Sequence, residues 1–431
     1  MKKTSTAHRL LLVYPATHKL GWAKRFQLPS HSLERVAALT PDSWEVVLCD
    51  EVHEQTPFND DFTLVGITCM THQANRAYEI ADAFREKGIP VVLGGIHPTV
   101  LPEEAELHAN AVVVGEAEPV WATLLDDLLN SQLRKTYRAP LPGNGKLSLP
   151  PARREIFNGK KYLTTQTLQA SRGCPFDCPF CIVTPYFGNT FRYRNADEIL
   201  AELRSFDRTL TVFLDDNLLG DPLRAKPILQ GMRGLGLRWG GQANLRFAED
   251  KELVRLVAES GCIGIFVGIE SVTGELSHHP KTGSKYSQSE LIKRIRDAGI
   301  VLEASIIFGF DDHDEGIFEK TVRYLEDCKP SLPTFHLLTP YPGTTLFRQF
   351  DSEGRLFHKD WKRYNHSEVV FQPRLMSPER LYEGWLQARK EAYTWPAIFS
   401  RAFRNPRGII TNLAYNILRK GPNDLLPKKA T

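Results

Sequence analysis

The sequence predicts an α/β protein of two domains. A doubly wound, Rossmann-like parallel sheet comes first, then a partial (β/α)6 barrel, and a helical extension closes the chain. Three observations predict this. Short apolar, β-rich runs alternate with amphipathic helical stretches over residues 1–365, as in parallel sheets covered by crossover helices. Residues 131–165 interrupt the alternation with clustered Pro, Gly, Arg and Lys, the composition of a linker. The 431 residues also exceed what one hydrophobic core usually serves.

In the first domain, residues 1–130, strands are expected at 10–14, 44–48, 64–68, 91–93 and 111–114, with helices at 73–87 and 119–129. Ligands of such sheets sit beyond the carboxyl ends of the strands. That places loops 15–21, 68–72, 94–99 and 115–118 at a candidate site. The second domain, residues 166–365, repeats strand and helix six times. Strands are expected at 167–170, 211–214, 239–243, 263–267, 301–307 and 333–338, and helices at 196–206, 222–235, 251–260, 286–298, 314–327 and 345–353. Active groups of a βα barrel gather at the carboxyl ends of its strands. Residues 366–431 begin with a helix over 377–395, started by Ser377-Pro378-Glu379.

Composition narrows the function classes. A net charge of +3 is too small to indicate nucleic acid. No early run resembles a signal peptide, and no apolar stretch reaches the length of a membrane span. Seven cysteines, an odd number, fit a reducing compartment, so a cytoplasmic location is expected.

Three of those cysteines, Cys174, Cys178 and Cys181, form C-x3-C-x2-C in a loop that follows the first barrel strand. Soft thiolates at this spacing suit an iron–sulfur cluster. A structural zinc would want a fourth ligand nearby, and none follows within a few dozen residues. A four-iron cluster on three cysteines leaves one iron open for a substrate or cofactor. Zinc and a reactive dithiol remain the alternatives, and a non-catalytic iron–sulfur sensor is the rival of another class. Cys49, Cys69, Cys262 and Cys328 lie in apolar surroundings and read as core residues.

The cysteine loop, with Phe180 before its last cysteine, resembles the cluster motif of the radical S-adenosylmethionine (SAM) superfamily. The resemblance implies a [4Fe-4S] cluster whose open iron chelates SAM, and reductive cleavage to a 5′-deoxyadenosyl radical. It also implies an electron donor such as a flavodoxin or ferredoxin. SAM contacts are then expected at the other strand ends. Asp215, Asp216 and Asn217 stand where the superfamily often carries Gly-Gly-Glu, and carboxylates there suit SAM's ammonium; the alternative is a helix N-cap. Gln242, Asn244 and Arg246 follow the third strand. Glu270 and Ser271 follow the fourth, with Glu270 either on ribose hydroxyls or in a salt bridge. Ile307, within Ile306–Phe310, matches the adenine-contacting segment. Arg192 and Arg194 either hold a carboxylate or face water.

The first domain is similar to the cobalamin-binding domain found upstream of many radical SAM barrels, through Gly94-Gly95, His97-Pro98-Thr99, Pro102-Glu-Glu104 and Gly115-Glu116. Carried over, Thr68, Thr71, Gly94, Gly95, His97 and Gly115 would line the corrinoid. The usual lower-ligand motif D-x-H-x-x-G is replaced by Ala16-Thr-His18-Lys-Leu-Gly21. The acid that would orient the imidazole is absent, so His18 is either a cobalt ligand or a loop histidine.

Between Pro396 and Lys420 the chain carries no acidic residue while aromatic and aliphatic side chains alternate with Arg and Lys. Such a segment either lies on an anionic membrane surface or packs on the barrel. Together the resemblances imply cobalamin-dependent methylation of an unactivated carbon on a small-molecule or lipid substrate, with two SAM consumed per turnover. The domain order is like that of the hopanoid-methylating radical SAM enzymes. The alternative is radical cyclisation, oxidation or coupling without methyl transfer.

Overall fold

Strands β1 (His8–Tyr14), β2 (Trp44–Asp50), β3 (Leu64–Thr68), β4 (Val91–Gly94), β5 (Ala111–Val114) and β6 (Thr136–Arg138) form one parallel sheet in the order β2-β1-β3-β4-β5-β6. The computed structural model describes residues 8–16, 27–207, 209–273, 284–403 and 409–420. Period-two alternation explains how both faces are buried. Leu11 and Val13 enter one apolar cluster, while Leu10 and Leu12 enter another on the opposite face. Helices α1 (His31–Leu39), α2 (Ala74–Arg85), α3 (Ile96–Val100), α4 (Pro102–His108) and α5 (Trp121–Leu129) supply the cover.

The stretch read as a linker is anchored by Phe157 and Tyr162, the aromatic residues its sequence offers for that, and it also supplies a strand that its composition does not suggest. Its early part is the sixth strand, pairing Thr136–Arg138 with Val112–Val114. Further on, Phe157 is buried in the first domain's core, and the Tyr162 hydroxyl donates to Asp50 Oδ2 at 2.6 Å. Three residues between prolines and charges are too few to show a period. Strand β7 (Gly145–Lys146) then joins a small separate sheet.

The barrel half contains β8 (Thr167–Leu168), β9 (Ser171–Gly173), β10 (Phe191–Tyr193), β11 (Leu210–Phe213), β12 (Arg238–Asn244), β13 (Cys262–Glu270), β14 (Val301–Phe308) and β15 (Leu332–Leu337). Its main sheet runs β8-β11-β12-β13-β14-β15, all parallel and in chain order, which is an open six-stranded partial barrel. Helices α6 (Val183–Phe187), α7 (Ala196–Arg204), α8 (Pro222–Met232), α9 (Lys251–Glu259), α10 (Gln288–Asp297), α11 (Ile317–Cys328) and α12 (Thr345–Ser352) connect the strands. The first barrel strand stops at Leu168 rather than at residue 170. The cause is Asp215, whose carboxylate captures the N–H groups of Ala170 and Ser171. The chain then turns away as β9, which pairs antiparallel with β10.

The C-terminal region packs α13 (Pro378–Ala392) on the barrel, where Trp385 Nε1 donates to the Phe335 carbonyl at 3.1 Å. Its predicted last turn is absent, because a separate helix, α14 (Trp395–Ala402), starts after Thr394. Helix α15 (Ile409–Lys420) is locked beside it. Buried Arg401 donates to Asn416 Oδ1 at 2.7 Å, and Asn416 donates to the Ser331 carbonyl at 3.0 Å. One side of this helix pair therefore packs on the barrel. The other side exposes Trp395, Phe399 and Phe403, whose rings stack in a row at 5.8 and 6.1 Å. Among the described residues no helix is long and apolar enough to cross a membrane.

Candidate active site

The cysteine loop sits where β9 leaves the barrel mouth. Cys178 is buried, and Cys174 and Cys181 are half-buried. One steric limit and four polar contacts shape the loop. Gly173 has φ +82°, and a Cβ there would lie 2.0 Å from the Thr190 carbonyl oxygen, so only glycine fits. Its N–H donates to Asp216 Oδ2 at 3.2 Å. The Cys181 N–H donates to the Cys178 carbonyl at 3.0 Å, and the start of α12 donates from Leu346 N to the Pro179 carbonyl at 2.9 Å. Asn217 Nδ2 lies 3.7 Å from Cys174 Sγ, an N–H directed at a prospective thiolate. Among the described residues no three His, Cys, Asp or Glu side chains close on a single point. The donor set and the amide beside it fit a [4Fe-4S] cluster.

The Asp215-Asp216-Asn217 triplet divides its work. Asp215 is fully buried and turned toward the chain that leaves β8 for β9, accepting from Ala170 N at 3.1 Å and from the Ser171 hydroxyl at 2.6 Å. Burial raises its carboxyl to about 7, against the pull of these donors. Asp216 lines the cavity described below, and burial raises its carboxyl to about 6 against the Gly173 N–H and Arg172. Asn217 Oδ1 accepts from both the backbone and side-chain N–H of Asn244, at 3.1 and 3.0 Å, joining the second and third strand ends. Asn244 Oδ1 in turn caps the turn that carries Arg246, accepting from its N–H at 2.9 Å. Arg246 is the exposed residue of an otherwise largely buried turn and pairs with Glu249 at 3.1 Å. Gln242 lies half-buried on β12.

Glu270 ends β13 with φ +66°, at the point where the register with β14 shifts. A left-handed non-glycine residue at a strand end is strained backbone of the kind that collects at functional sites. Ser271 is buried next to it, and Ile307 is half-buried on β14. Phe180 meets Phe310 edge-on at 5.6 Å, bringing the cysteine loop against the end of β14.

A cavity of about 660 Å³ runs from the strand ends of the first domain to the barrel mouth. Its first-domain wall carries Thr68, Gly94, Gly95 and Gly115, as expected from the sequence. Deeper, Leu12, Gly66, Val92, Val113 and Trp121 line an apolar slot. A Cβ on Gly66 would press on Leu12 at 3.1 Å, and one on Gly95 would lie 2.6 Å from Thr68 Oγ1. A glycine-floored cradle with an apolar recess fits a corrinoid with an aromatic nucleotide tail. Tyr186, Phe187, Arg172 and Asp216 form the barrel-side wall.

Two expected wall residues lie elsewhere. Thr71 is buried in the short 3-10 turn Thr71–Gln73 and does not line the cavity; Met70 and Gln73 do. His97 is also away from the wall, because its ring is drawn into a junction between the domains. There Glu104 Oε1 accepts from His97 Nε2 at 3.3 Å, Tyr78 OH at 3.0 Å and Trp361 Nε1 at 2.8 Å. These donors outweigh burial and hold the Glu104 carboxyl below its ordinary range. His18 lies outside the described residues. Cys69 lines the cavity, and burial raises its thiol well above the usual range. Cys49, Cys262 and Cys328 are buried in the core, as expected.

Arg192 and Arg194 neither face water nor leave an open fork for a carboxylate. Arg192 pairs with Glu116 across the domain boundary, and Arg194 pairs with Glu202 at 2.7 Å. Both are buried, so their charges have to be met inside the protein. Arg172, part of the cysteine motif, completes the junction by bonding Glu118 at 2.6 Å and Glu116 at 3.2 Å. Burial raises the Glu118 carboxyl, but Arg172 more than offsets it, and the net shift is downward. Sequence reading missed this lattice. Its one signal was two acids in Gly115–Glu118 with no positive charge nearby in sequence.

Comparison with known proteins agrees with this geometry. Residues 168–325 match the profile of the radical SAM superfamily, and residues 36–125 match that of the B12 binding domain. Residues 344–419 match a domain of unknown function. The chain is 32% identical over 388 residues to bacteriochlorophyllide d C-12(1)-methyltransferase of Chlorobaculum tepidum, covering 87% of this chain and 85% of that protein. It is 27% identical to hopanoid C-2 methylase of Rhodopseudomonas palustris, covering 92% and 79%. Its fold is similar to that of the radical SAM methyltransferase TsrM of Kitasatospora setae, solved with cobalamin and a [4Fe-4S] cluster. The TM-score is 0.68, at 16% identity and 88% coverage of each chain. The chain belongs to the cobalamin-dependent radical SAM methyltransferases, with a [4Fe-4S] cluster, SAM and cobalamin as cofactors.

Proposed function

We propose that the protein methylates an unactivated carbon of a hydrophobic, ring-bearing small molecule or lipid that it meets at a membrane surface. The observation that carries this is the cavity joining the glycine cradle of the first domain to Arg172, Tyr186 and Asp216 at the barrel mouth, where Asp216 also accepts from the Gly173 N–H at the head of the cysteine loop. A corrinoid and a radical source facing one space can act on one substrate carbon. The printed substrates of its relatives, a bacteriochlorophyllide and a hopanoid, are both extended and apolar.

Bound together, the cofactors supply hydrogen-atom abstraction and a transferable methyl group. The chain binds, orients and shields them. Cys174, Cys178 and Cys181 hold the cluster, with the Asn217 amide tempering the charge on Cys174. Asp216, not the internally bonded Asp215, is the carboxylate for SAM's ammonium. Glu270 and Ser271 face the ribose, and Ile307 the adenine. Asn244 and Asn217 hold the strand ends in register, with Gln242 beside them. Thr68, Gly94, Gly95 and Gly115 admit the corrinoid. Tyr186 and Phe187 shield its barrel side from water. Electrons come one at a time from a flavodoxin- or ferredoxin-type donor. The exposed row Trp395, Phe399 and Phe403 gives the tail an apolar face for peripheral contact with the bilayer.

The test is anaerobic reconstitution with iron, sulfide and hydroxocobalamin, followed by turnover with methyl-labelled SAM and candidate polycyclic substrates. Expected are retained corrinoid, label in the product, and S-adenosylhomocysteine formed in step with 5′-deoxyadenosine. Product with 5′-deoxyadenosine but neither label nor S-adenosylhomocysteine would replace methylation with a non-methylating radical reaction.

A further inference from the structure

Between the ends of β13 and β14 lies a histidine that the account above does not use. His313 is 2% exposed and has a partner on each ring nitrogen. The Gly309 N–H points to its Nδ1 at 3.2 Å, and its Nε2 lies 2.9 Å from the Ser271 hydroxyl. Because the backbone group only donates, Nδ1 is the bare acceptor and the proton sits on Nε2. Ser271 Oγ then accepts from His313 and donates to the Thr273 carbonyl at 2.8 Å. Each donor in the chain Gly309, His313, Ser271 is spent once and in one direction.

The position of the ring matters as much as its bonds. His313 meets Phe310 edge-on at 5.3 Å, and Phe310 meets Phe180 of the cysteine loop in the same manner. Its own N–H donates to the Phe310 carbonyl at 3.0 Å, closing a tight turn after β14. One buried side chain therefore spans the end of β13, the end of β14 and, through Phe310, the cluster loop. A charged ring would oppose the Gly309 N–H with a second donor. Burial acts in the same direction and lowers the pKa to about 4, so the ring stays neutral and the tautomer stays fixed.

We propose that His313 is a positioning residue for SAM: it sets the separation between the Glu270-Ser271 loop and the Gly309-Phe310 loop, and so the width of the nucleoside site. This rests on the reading that SAM lies across these strand ends. No side chain of His313 touches the cofactor in this proposal. It acts through Ser271 and Phe310.

Three variants test it in the reconstituted full-length protein. His313→Asn keeps an oxygen for the Gly309 N–H and loses the reach to Ser271. Ser271→Ala removes the receiving hydroxyl with little change of volume. His313→Ala removes both links. SAM is titrated into the reduced cluster while its EPR spectrum is followed, with iron, corrinoid content and denaturation midpoint measured alongside. The expected result is SAM binding weakened about tenfold or more in His313→Ala, and by less in His313→Asn and Ser271→Ala, with iron and corrinoid per chain unchanged. Michaelis constants for SAM should rise further than maximal 5′-deoxyadenosine formation falls. SAM binding within twofold of wild type in His313→Asn would overturn the proposal, whatever Ser271→Ala does, because that variant also removes a group facing the ribose. A wild-type cluster whose spectrum ignores SAM would instead overturn the functional reading beneath it.

Discussion

The first domain's wall of the cavity and the strand ends of the barrel are made by different means. Along β3, β4 and β5 the wall leaves out side chains at Gly66, Gly94, Gly95 and Gly115, between apolar neighbours such as Leu12, Val92 and Val113. At the ends of β8, β11, β12 and β13 the structure rests on buried polar side chains: Asp215 on Ala170 and Ser171, Asn217 on Asn244, Ser271 on His313. A large flat cofactor is admitted by leaving atoms out, and burial of its apolar parts supplies affinity. A small charged cofactor on a cluster has to be oriented, which takes donors and acceptors held in place. The first wall should tolerate lost hydrogen bonds but not added volume. The second should show the reverse.

The deepest effect is expected at the cluster. Cys178→Ala should abolish 5′-deoxyadenosine formation, with loss of about a thousandfold or more, and remove the cluster's absorption shoulder while the chain still retains corrinoid. Asp215→Ala should come next. It leaves three buried donors without an acceptor, at about 1 kcal/mol each or more, and should lower stability by about 3 kcal/mol or more in chemical denaturation. Asp215→Asn, which keeps an acceptor oxygen, should recover part of this.

The opposite wall is probed by Gly94→Leu. A Cβ at Gly94 would meet nothing closer than Val113 at 3.8 Å, so the backbone accepts it while the longer side chain occupies the cradle. Corrinoid retained after gel filtration should fall about tenfold, with iron content unchanged. If corrinoid is retained in full, that wall is not where the cofactor sits.

Smaller effects test the seam between the walls. Glu118→Gln should cost about 1–3 kcal/mol by weakening its bond to Arg172. The pH dependence has a definite sign. The folded carboxyl lies below its ordinary value of 4.5, so its contribution is present above 4.5 and is lost as pH falls through the depressed folded value. Denaturation midpoints at about pH 6 and about pH 3.5 should therefore differ less in the variant than in wild type. Last, Phe399→Asp should reduce co-sedimentation with anionic vesicles about tenfold, since one aromatic ring contributes about 1.5–3 kcal/mol on burial. Unchanged sedimentation would leave the exposed row without a bilayer.

Much of this site was legible in the chain. Cys174, Cys178 and Cys181 declare themselves because a local ligand set needs only spacing, and Gly95 because a tight strand-end turn at positive φ needs glycine locally. The misplaced residues share a different cause. His97 and Thr71 lie in the right loops, but which way a side chain faces is decided by what packs against it. Trp361, more than 250 residues downstream, draws His97 toward Glu104. Arg192 and Arg194 looked like open cations because their partners, Glu116 and Glu202, are brought to them only by the fold.

By itself the sequence determined five of the first sheet's six strands, the six strands of the main barrel sheet with the helix after each, the two-domain α/β architecture and the cysteine loop. Each of these depends on neighbours within a few residues, through periodicity, turn chemistry or ligand spacing. Only the tertiary structure decided that Thr136–Arg138 extends the first sheet, that Asp215 faces inward while Asp216 lines the cavity, and that His313 bridges two strand ends. Those outcomes depend on which buried donors and charges find partners far away in the chain, and the cost of leaving one unpaired is settled only when the domains close on each other.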